Sequence, residues 1–278
     1  MVRVIQISDT HLSPGKQHFV PNWEPVAAWL RAQKADLVIH TGDVTVDAAD
    51  QEADAAHCAA LLRALDVPVL ALPGNHDVGD ARDPQQPVND ERLDRWRRHF
   101  NGDRWVHDIA GWRLIGFNAL LLGSGQAAER EQAEWLETVM HEAQRRRLAW
   151  FLHRPLFLAD RHEGDTGYWS VKPEPRARLF DLLDRHDVKL VASGHLHRWH
   201  DTRLNGTRFV WGPATGFLVG PDLHPPMAGA AQLGAVAYEF GDDDVDVDVT
   251  FTQIDGLQEF WIDHVVHEVY PPRPPKAG

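Results

Sequence analysis

Cysteine is nearly absent. Cys58 is the only one in 278 residues, so no disulfide can form within the chain, and a reducing, cytoplasmic setting is the natural expectation. Long apolar runs are missing too. Nothing approaches the roughly 20 residues of a membrane-crossing helix, so no membrane partner is expected. Met1-Val2-Arg3-Val4-Ile5 enters a strand at once and leaves no room for a signal peptide. Basic charge is scarce: 28 Lys and Arg stand against 41 Asp and Glu, a formal net charge of −13. A chain of that sign lacks the concentrated basic surface that a long nucleic acid requires. A small phosphorylated substrate stays open, because bound metal ions reverse the sign locally. Internal repeats and low-complexity linkers are also lacking before the last eight residues. There Pro271-Pro272-Arg273-Pro274-Pro275 predicts a frayed polyproline tail behind a single domain spanning residues 1–270.

What is present is the composition of a globular protein, with 43% hydrophobic and 25% charged residues and length enough for a large core. Short apolar runs predict buried strands at Arg3–Ser8, Leu37–His40, Val67–Leu72, Arg113–Phe117, Leu148–Leu152 and Lys189–Ala192. Between them, Cys58, Leu61, Leu62 and Leu65 follow helical spacing, as do Leu136, Val139, Met140 and Ala143. Strands alternating with helices indicate an α/β fold built from right-handed βαβ units. Trp112, Trp150 and Trp211 fall inside strand runs and read as core. His57, His99 and His141 fall in helices and read as surface residues.

The last part changes character. Thr207–Trp211, Gly234–Phe240 and Val245–Thr252 predict antiparallel strands, the last two joined by the turn Gly241-Asp242-Asp243-Asp244. Alternation puts Val245, Val247, Val249 and Phe251 on one face and Asp246 and Asp248 on the other. That pattern describes a solvated sheet face better than a calcium site.

Chemistry-bearing residues gather where the early strands end. Asp9 and His11 follow the first strand, and two residues apart in an extended segment they project to the same side. Asp43 follows the second strand after Gly42, which permits a sharp turn, and its two oxygens suit a bridge between ions. Gly74-Asn75-His76-Asp77 follows the third; Asn75 offers a neutral hard ligand, and His76 can reach a substrate without occupying a metal. His153 ends the run Leu148–Leu152, and Gly194-His195-Leu196-His197 again points two imidazoles one way. Taken singly, Asp9-x-His11 also reads as a turn cap and His153 as a buried structural residue, while His40 reads as a neighbour of the ligands. Together, seven candidate ligands (Asp9, His11, Asp43, Asn75, His153, His195 and His197) offer oxygen and imidazole with no thiolate. Such a set suits two borderline divalent ions such as Mn, Fe, Zn or Co.

The order Asp-x-His, Gly-Asp, Gly-Asn-His-Asp, His, Gly-His-x-His, running from Asp9 to His197, resembles the calcineurin-like metallophosphoesterase superfamily. Ile7-Ser8-Asp9-Thr10-His11-Leu12 resembles its bacterial cyclic-nucleotide and glycerophosphodiester phosphodiesterase branch. The resemblance implies a four-layer α-β-β-α sandwich of two mixed β-sheets flanked by helices, with the site at one edge. It implies that Asp9, His11, Asp43 and His197 hold the first metal, and that the bridging Asp43 with Asn75, His153 and His195 holds the second. His76 would stand over the substrate as a catalytic residue, with Asp77 orienting it. The implied reaction is hydrolysis of a small phosphodiester by in-line attack of a metal-bridging hydroxide. A phosphomonoesterase is the nearest alternative, ahead of a nuclease or a non-catalytic scaffold.

One departure stands out: relatives acting on cyclic nucleotides often carry a second His after the ligand, where this chain has Arg154. That arginine reads equally as a phosphate contact or a surface ion pair. The loops Pro14–Pro25, with His18, Phe19 and Trp23, and Ala159–Pro173, with Tyr168 and Trp169, flank the expected site; their rings either stack on substrate or cover core. No substrate-binding residue, native metal or oligomeric state is assigned.

Overall fold

The computed structural model describes residues 1–241 and 246–271. The first half runs β1 (Val2–Ile7), α1 (Trp23–Ala32), β2 (Leu37–His40), α2 (Glu52–Arg63), β3 (Val69–Ala71), α3 (Asn75–Val78) and α4 (Asp90–Phe100). Then come β4 (Trp105–Ile109), β5 (Trp112–Gly116), α5 (Ala127–His141), β6 (Arg147–Phe151), α6 (Pro173–Arg185) and β7 (Val188–Ser193). The chain continues through β8 (His200–Leu204), β9 (Thr207–Trp211), β10 (Ala235–Phe240) and β11 (Asp248–Thr252) to the single turn α7 (Val266–Val269). Apolar runs fold as strands within one or two residues of the predicted bounds. Helices begin and end on chemistry: Asn89 Oδ1 accepts from Arg92 N at 3.0 Å to cap α4, and left-handed Asn101 closes it.

Two mixed sheets result, ordered β11-β10-β1-β2-β3 and β4-β5-β6-β7-β9-β8. Strands β1, β2 and β3 are parallel, with Val4 opposite Leu37 and Val38 opposite Val69. In the second sheet β5, β6, β7 and β9 are parallel, and β4 and β8 close the edges antiparallel. Thr207–Trp211 is therefore not simply the antiparallel strand its sequence predicts. It pairs in parallel with β7, because the preceding hairpin strand β8 takes the outer position. Strands β4 and β8 carry no apolar run, since edge strands bury only part of one face; His200–Leu204 alternates half-buried and exposed residues.

The inner faces meet in one core, where Val4, Ile39, Val236 and Tyr238 face Leu114, Phe151, Leu190 and Val210. The outer faces are covered by helices: Val38 lies with Val26, Leu30 and Leu62, and Trp150 with Leu136, Phe180 and Leu183. This is the four-layer α-β-β-α sandwich. Trp112, Trp150 and Trp211 are buried, as their strand positions predict. His57, His99 and His141 lie on α2, α4 and α5. Asp246 pairs with Arg203 and Asp248 is exposed, the solvated face that alternation predicts. The predicted turn at Asp242–Asp244 and the prolines from Pro272 onward fall outside the described residues.

Beneath the strand ends, Gln6 ties the two sheets together. Its Nε2 donates to Thr41 Oγ1 at 2.8 Å and to Ser193 O at 3.0 Å, and its Oε1 accepts from Tyr238 Oη at 2.6 Å. All of this is buried, so replacing Gln6 by leucine strands several polar atoms without partners. Gln6→Leu should lower unfolding stability by about 1–3 kcal/mol, read as a shift in urea midpoint at unchanged slope.

Candidate metal centre

Each sequence motif sits just past the C-terminal end of a parallel strand: Asp9 after β1, Asp43 after β2, Asn75 after β3, His153 after β6 and His195 after β7. The backbone there is unusual. Asp9, His11, Asp43, His195 and His197 adopt φ of 53°, 45°, 50°, 72° and 52°, a left-handed region costing an ordinary residue about 1–2 kcal/mol. The paired side chains of Asp9-x-His11 and His195-x-His197 thus converge through left-handed turns, and not through the extended alternation that the sequence predicts. Backbone bonds hold the turns in place: Asp9 N donates to Gly42 O at 3.0 Å and His11 N to Asp43 O at 3.1 Å. Two glycines admit the close approach. A Cβ on Gly74 would lie 2.1 Å from Asp43 Oδ1, and one on Gly194 would lie 1.9 Å from Ser8 Oγ and 2.7 Å from Asp9 Oδ2.

The seven candidate ligands come together, none more than 6% exposed. Asp9, His11 and His197 form one group, with His197 Nε2 3.4 Å from Asp9 Oδ1 and 3.3 Å from His11 Nε2. Asp43, His153 and His195 form another. In it His153 Nε2 lies 3.3 Å from Asp43 Oδ2, 3.1 Å from His195 Nδ1 and 3.3 Å from Asn75 Oδ1. Asp43 links the two, its Oδ2 also being 3.8 Å from His11 Nε2.

Every ligand imidazole is fixed through its outward nitrogen. His153 Nδ1 donates to Thr41 O at 2.8 Å and His197 Nδ1 to Phe217 O at 2.7 Å, while His195 Nε2 donates to Tyr168 O at 2.9 Å. His11 Nδ1 lies 2.7 Å from Tyr270 Oη. Asn75 Nδ2 donates to Tyr168 Oη at 3.0 Å, which turns Oδ1 inward. Outer contacts of this kind select the ring nitrogen that faces an ion.

The donor set fits a divalent cation. Asp9 Oδ1 is buried with no hydrogen-bond partner, an arrangement that is costly unless a positive charge is supplied. Burial raises the Asp43 carboxyl, but the neighbouring His153 overrides it and holds Asp43 well below the usual range. Burial lowers His153, yet Asp43 beside it wins and lifts the imidazole to about 9. Burial above all pushes His11 and His195 well below an ordinary histidine, with His76 and His197 adding to the effect at His11 and His153 and Arg154 at His195. Each partner thus favours the charged form of the other, so Asp43 is held low and His153 high.

The surrounding residues sort differently from the sequence reading. The Asp77 carboxylate accepts from Val44 N (3.1 Å), Thr45 N (3.0 Å), Thr45 Oγ1 (2.8 Å) and Gly74 N (2.8 Å), so it braces the Asp43 loop from below. His76 donates its backbone N–H to Asp43 Oδ1 at 2.9 Å, and its ring stacks on Tyr270 with centroids 4.3 Å apart. Arg154 is not a surface pair. It is buried, paired with Asp80, with its guanidinium 5.7 Å from the Tyr168 ring centre. His40 is a neighbour, its Nε2 3.0 Å from Thr10 Oγ1. Phe19 and Trp23 are core, whereas Tyr168 reaches the site. Tyr270 and Phe217 were not legible as site residues; no local motif surrounds either.

Beside His76 opens a cavity of about 690 Å³, walled by Tyr168 and Tyr270 and lined by Lys16, Arg82 and Asn75 among others. Among the described residues no helix is long and apolar enough to cross a membrane.

Comparison with known proteins agrees with this geometry. The chain is 28% identical over 226 residues to the probable glycerophosphodiester phosphodiesterase GpdQ of Arcobacter nitrofigilis, covering 73% of this chain and 74% of that one. It is 27% identical over 172 residues to the human serine/threonine-protein phosphatase CPPED1, covering 59% of this chain. The match takes in 53% of that phosphatase, so the chain spans about half its length. Among solved structures, a dimetal phosphatase from Danio rerio superposes with a TM-score of 0.58 at 12% identity, over 90% of this chain and 95% of that one. GAP50, the anchor in the inner membrane complex of Plasmodium, superposes at 0.63 and 12%, over 92% and 86%. Residues 2–199, which take in every candidate ligand from Asp9 to His197, match the calcineurin-like phosphoesterase family, and the chain belongs to it.

Proposed function

We propose that this chain hydrolyses small phosphodiesters, using two divalent ions drawn from Mn, Fe, Zn or Co. Asp9, His11, Asp43 and His197 would hold one, and Asp43, Asn75, His153 and His195 the other. The charge of the cavity beside His76 carries the diester reading. Its cations are engaged: Arg82 binds both oxygens of Asp165 at 2.6 and 3.1 Å, and Lys16 donates to Val269 O. Asp47, Asp80 and Asp83 share the lining. A monoester is close to a dianion at neutrality and calls for extra positive charge around its free oxygens. A diester carries one negative charge, and a cavity of this size leaves space for its organic groups. The Arcobacter relative, a probable glycerophosphodiester phosphodiesterase, points the same way.

When bound, the ions supply Lewis acidity toward the phosphoryl oxygens and toward water. His76, on the cavity wall, contacts the phosphate and passes a proton from a ring nitrogen to the leaving oxygen, a contribution of about 10²–10⁴ in rate. Asp77 acts through position, by fixing the turn that carries Asp43. Tyr168 and Tyr270 limit water around the leaving group. Residues 1–270 work as one domain, and the single cysteine fits a cytoplasmic setting. A phosphomonoesterase remains the second reading, favoured by the phosphatase name of the CPPED1 relatives.

Asp43→Ala should lose bound metal and turnover together, because one carboxylate serves both groups, whereas His76→Ala should keep its metal and lose about 10²–10⁴ in kcat. Equal metal loss by elemental analysis of the two variants would reject that division. Bis-p-nitrophenyl phosphate should turn over faster than p-nitrophenyl phosphate; the reverse order would favour the monoesterase. The pH dependence of metal uptake has a definite sign. His153, raised to about 9, is protonated at neutrality in the metal-free chain and must lose that proton to act as a ligand. Metal uptake between pH 7 and 8 should release about one proton, and affinity should weaken about tenfold per unit of acidification. Calorimetry in buffers of different ionisation enthalpy reads both quantities.

A further inference from the structure

Tyr270 touches two residues of the site at once, from beyond the stretch that matches the family. Its hydroxyl lies 2.7 Å from His11 Nδ1, and its ring stacks on His76 at 4.3 Å with the planes 30° apart. The segment carrying it is firmly seated. Val269 is fully buried with Phe19, Val46, Phe217 and Ile262, and Tyr270 N donates to Val266 O at 2.8 Å. Leu218 N donates to Phe260 O at 2.8 Å and Ile262 N to Leu218 O at 3.0 Å, which joins this segment to the Phe217 loop. That same loop accepts from His197 Nδ1, and the Phe217 ring packs 4.5 Å from His11 and 4.3 Å from His197. The late chain thus forms one body against the Asp9–His11–His197 group. The other group takes its outward contacts from Thr41 and Tyr168.

We propose that Tyr270 is a positioning residue with two effects: it holds the His11 ring with Nε2 turned toward the carboxylates, and it sets the plane of His76 beside the phosphate. The second effect rests on the phosphoesterase reading above; the first does not. With Nε2 toward Asp9 and Asp43, Nδ1 carries the hydrogen and donates to the phenol oxygen. A phenol is a neutral acceptor. It orients the ring without adding a third negative charge to a centre that already buries two carboxylates. Outer partners of metal-bound histidines typically govern affinity by 10–100-fold, and the selectivity of this contact for His11 predicts that only one of the two ions feels it.

The test uses the full chain, stripped of metal and titrated with Mn²⁺ by calorimetry, as Tyr270→Phe and Tyr270→Leu. Tyr270→Phe removes only the hydroxyl and keeps the ring on His76. It should weaken one binding event by about tenfold or more and leave the other within twofold. Events that all stay within twofold, or that weaken equally, overturn the hold on His11. At saturating Mn²⁺, kcat on bis-p-nitrophenyl phosphate should be about tenfold or more lower for Tyr270→Leu than for Tyr270→Phe, because only leucine removes the stacked ring. Equal kcat values overturn the hold on His76. If the unaltered chain turns over no diester, the functional reading fails while the calorimetric comparison still decides the first effect.

Discussion

Two carboxylates buried side by side dictate the rest of this structure. Asp9 and Asp43 are 0% and 2% exposed, beneath four imidazoles that are equally buried. Burying a pair of negative charges is costly unless they are matched. The chain supplies part of the match: His195 N donates to Asp9 Oδ2 at 3.0 Å, His76 N donates to Asp43 Oδ1 at 2.9 Å, and His153 holds a proton against Asp43. Asp9 Oδ1 still has no donor. That shortfall suits a site able to hold a divalent cation. Five candidate ligands in left-handed turns represent backbone strain of the kind that clusters at functional sites.

The clustering of the seven candidate ligands was legible in the sequence because a candidate metal site advertises itself through residue type and short spacing, both local properties. Strand positions were legible for the same reason wherever both faces are buried. Legibility failed where the signal is not local. Strands β4 and β8 sit at sheet edges, and their polar alternation looks like loop. Alternation along a strand and a left-handed residue on each side of a spacer both send two side chains the same way. Asp9-x-His11 therefore predicts the right convergence from the wrong backbone. The family resemblance implied that Asp77 orients His76; its four hydrogen bonds run instead to the Asp43 and Gly74 segments, where it braces a turn. Arg154 was weighed between a phosphate contact and a surface ion pair; it forms an ion pair with Asp80, but a buried one.

The fold itself decides little about activity. At 12% identity it is shared with a dimetal phosphatase and with GAP50, an anchor in an inner membrane complex, and likeness at that level speaks only of architecture. The discriminating observation is the ligand set with its oriented nitrogens. All four imidazoles are hydrogen-bonded on the outward side, three of them to a backbone carbonyl and the fourth to a phenol hydroxyl. A scaffold that merely retained the sandwich would have no physical reason to keep all four.

The chain also divides its labour along its length. Residues 2–199 match the family and carry every candidate ligand. Phe217 and Tyr270, which orient His197 and His11, come later, as does β10, whose Tyr238 anchors Gln6 beneath the site. Ligands must satisfy the chemistry of the ion and leave few alternatives. Orienting groups need only offer an acceptor at the right place, so carbonyl, phenol or carboxylate can serve, each leaving a different charge around the metal. The candidate ligands, all within residues 2–199, are therefore marked by motifs, whereas the groups that touch their outward nitrogens from Phe217 and Tyr270 sit in sequence that carries no motif at all.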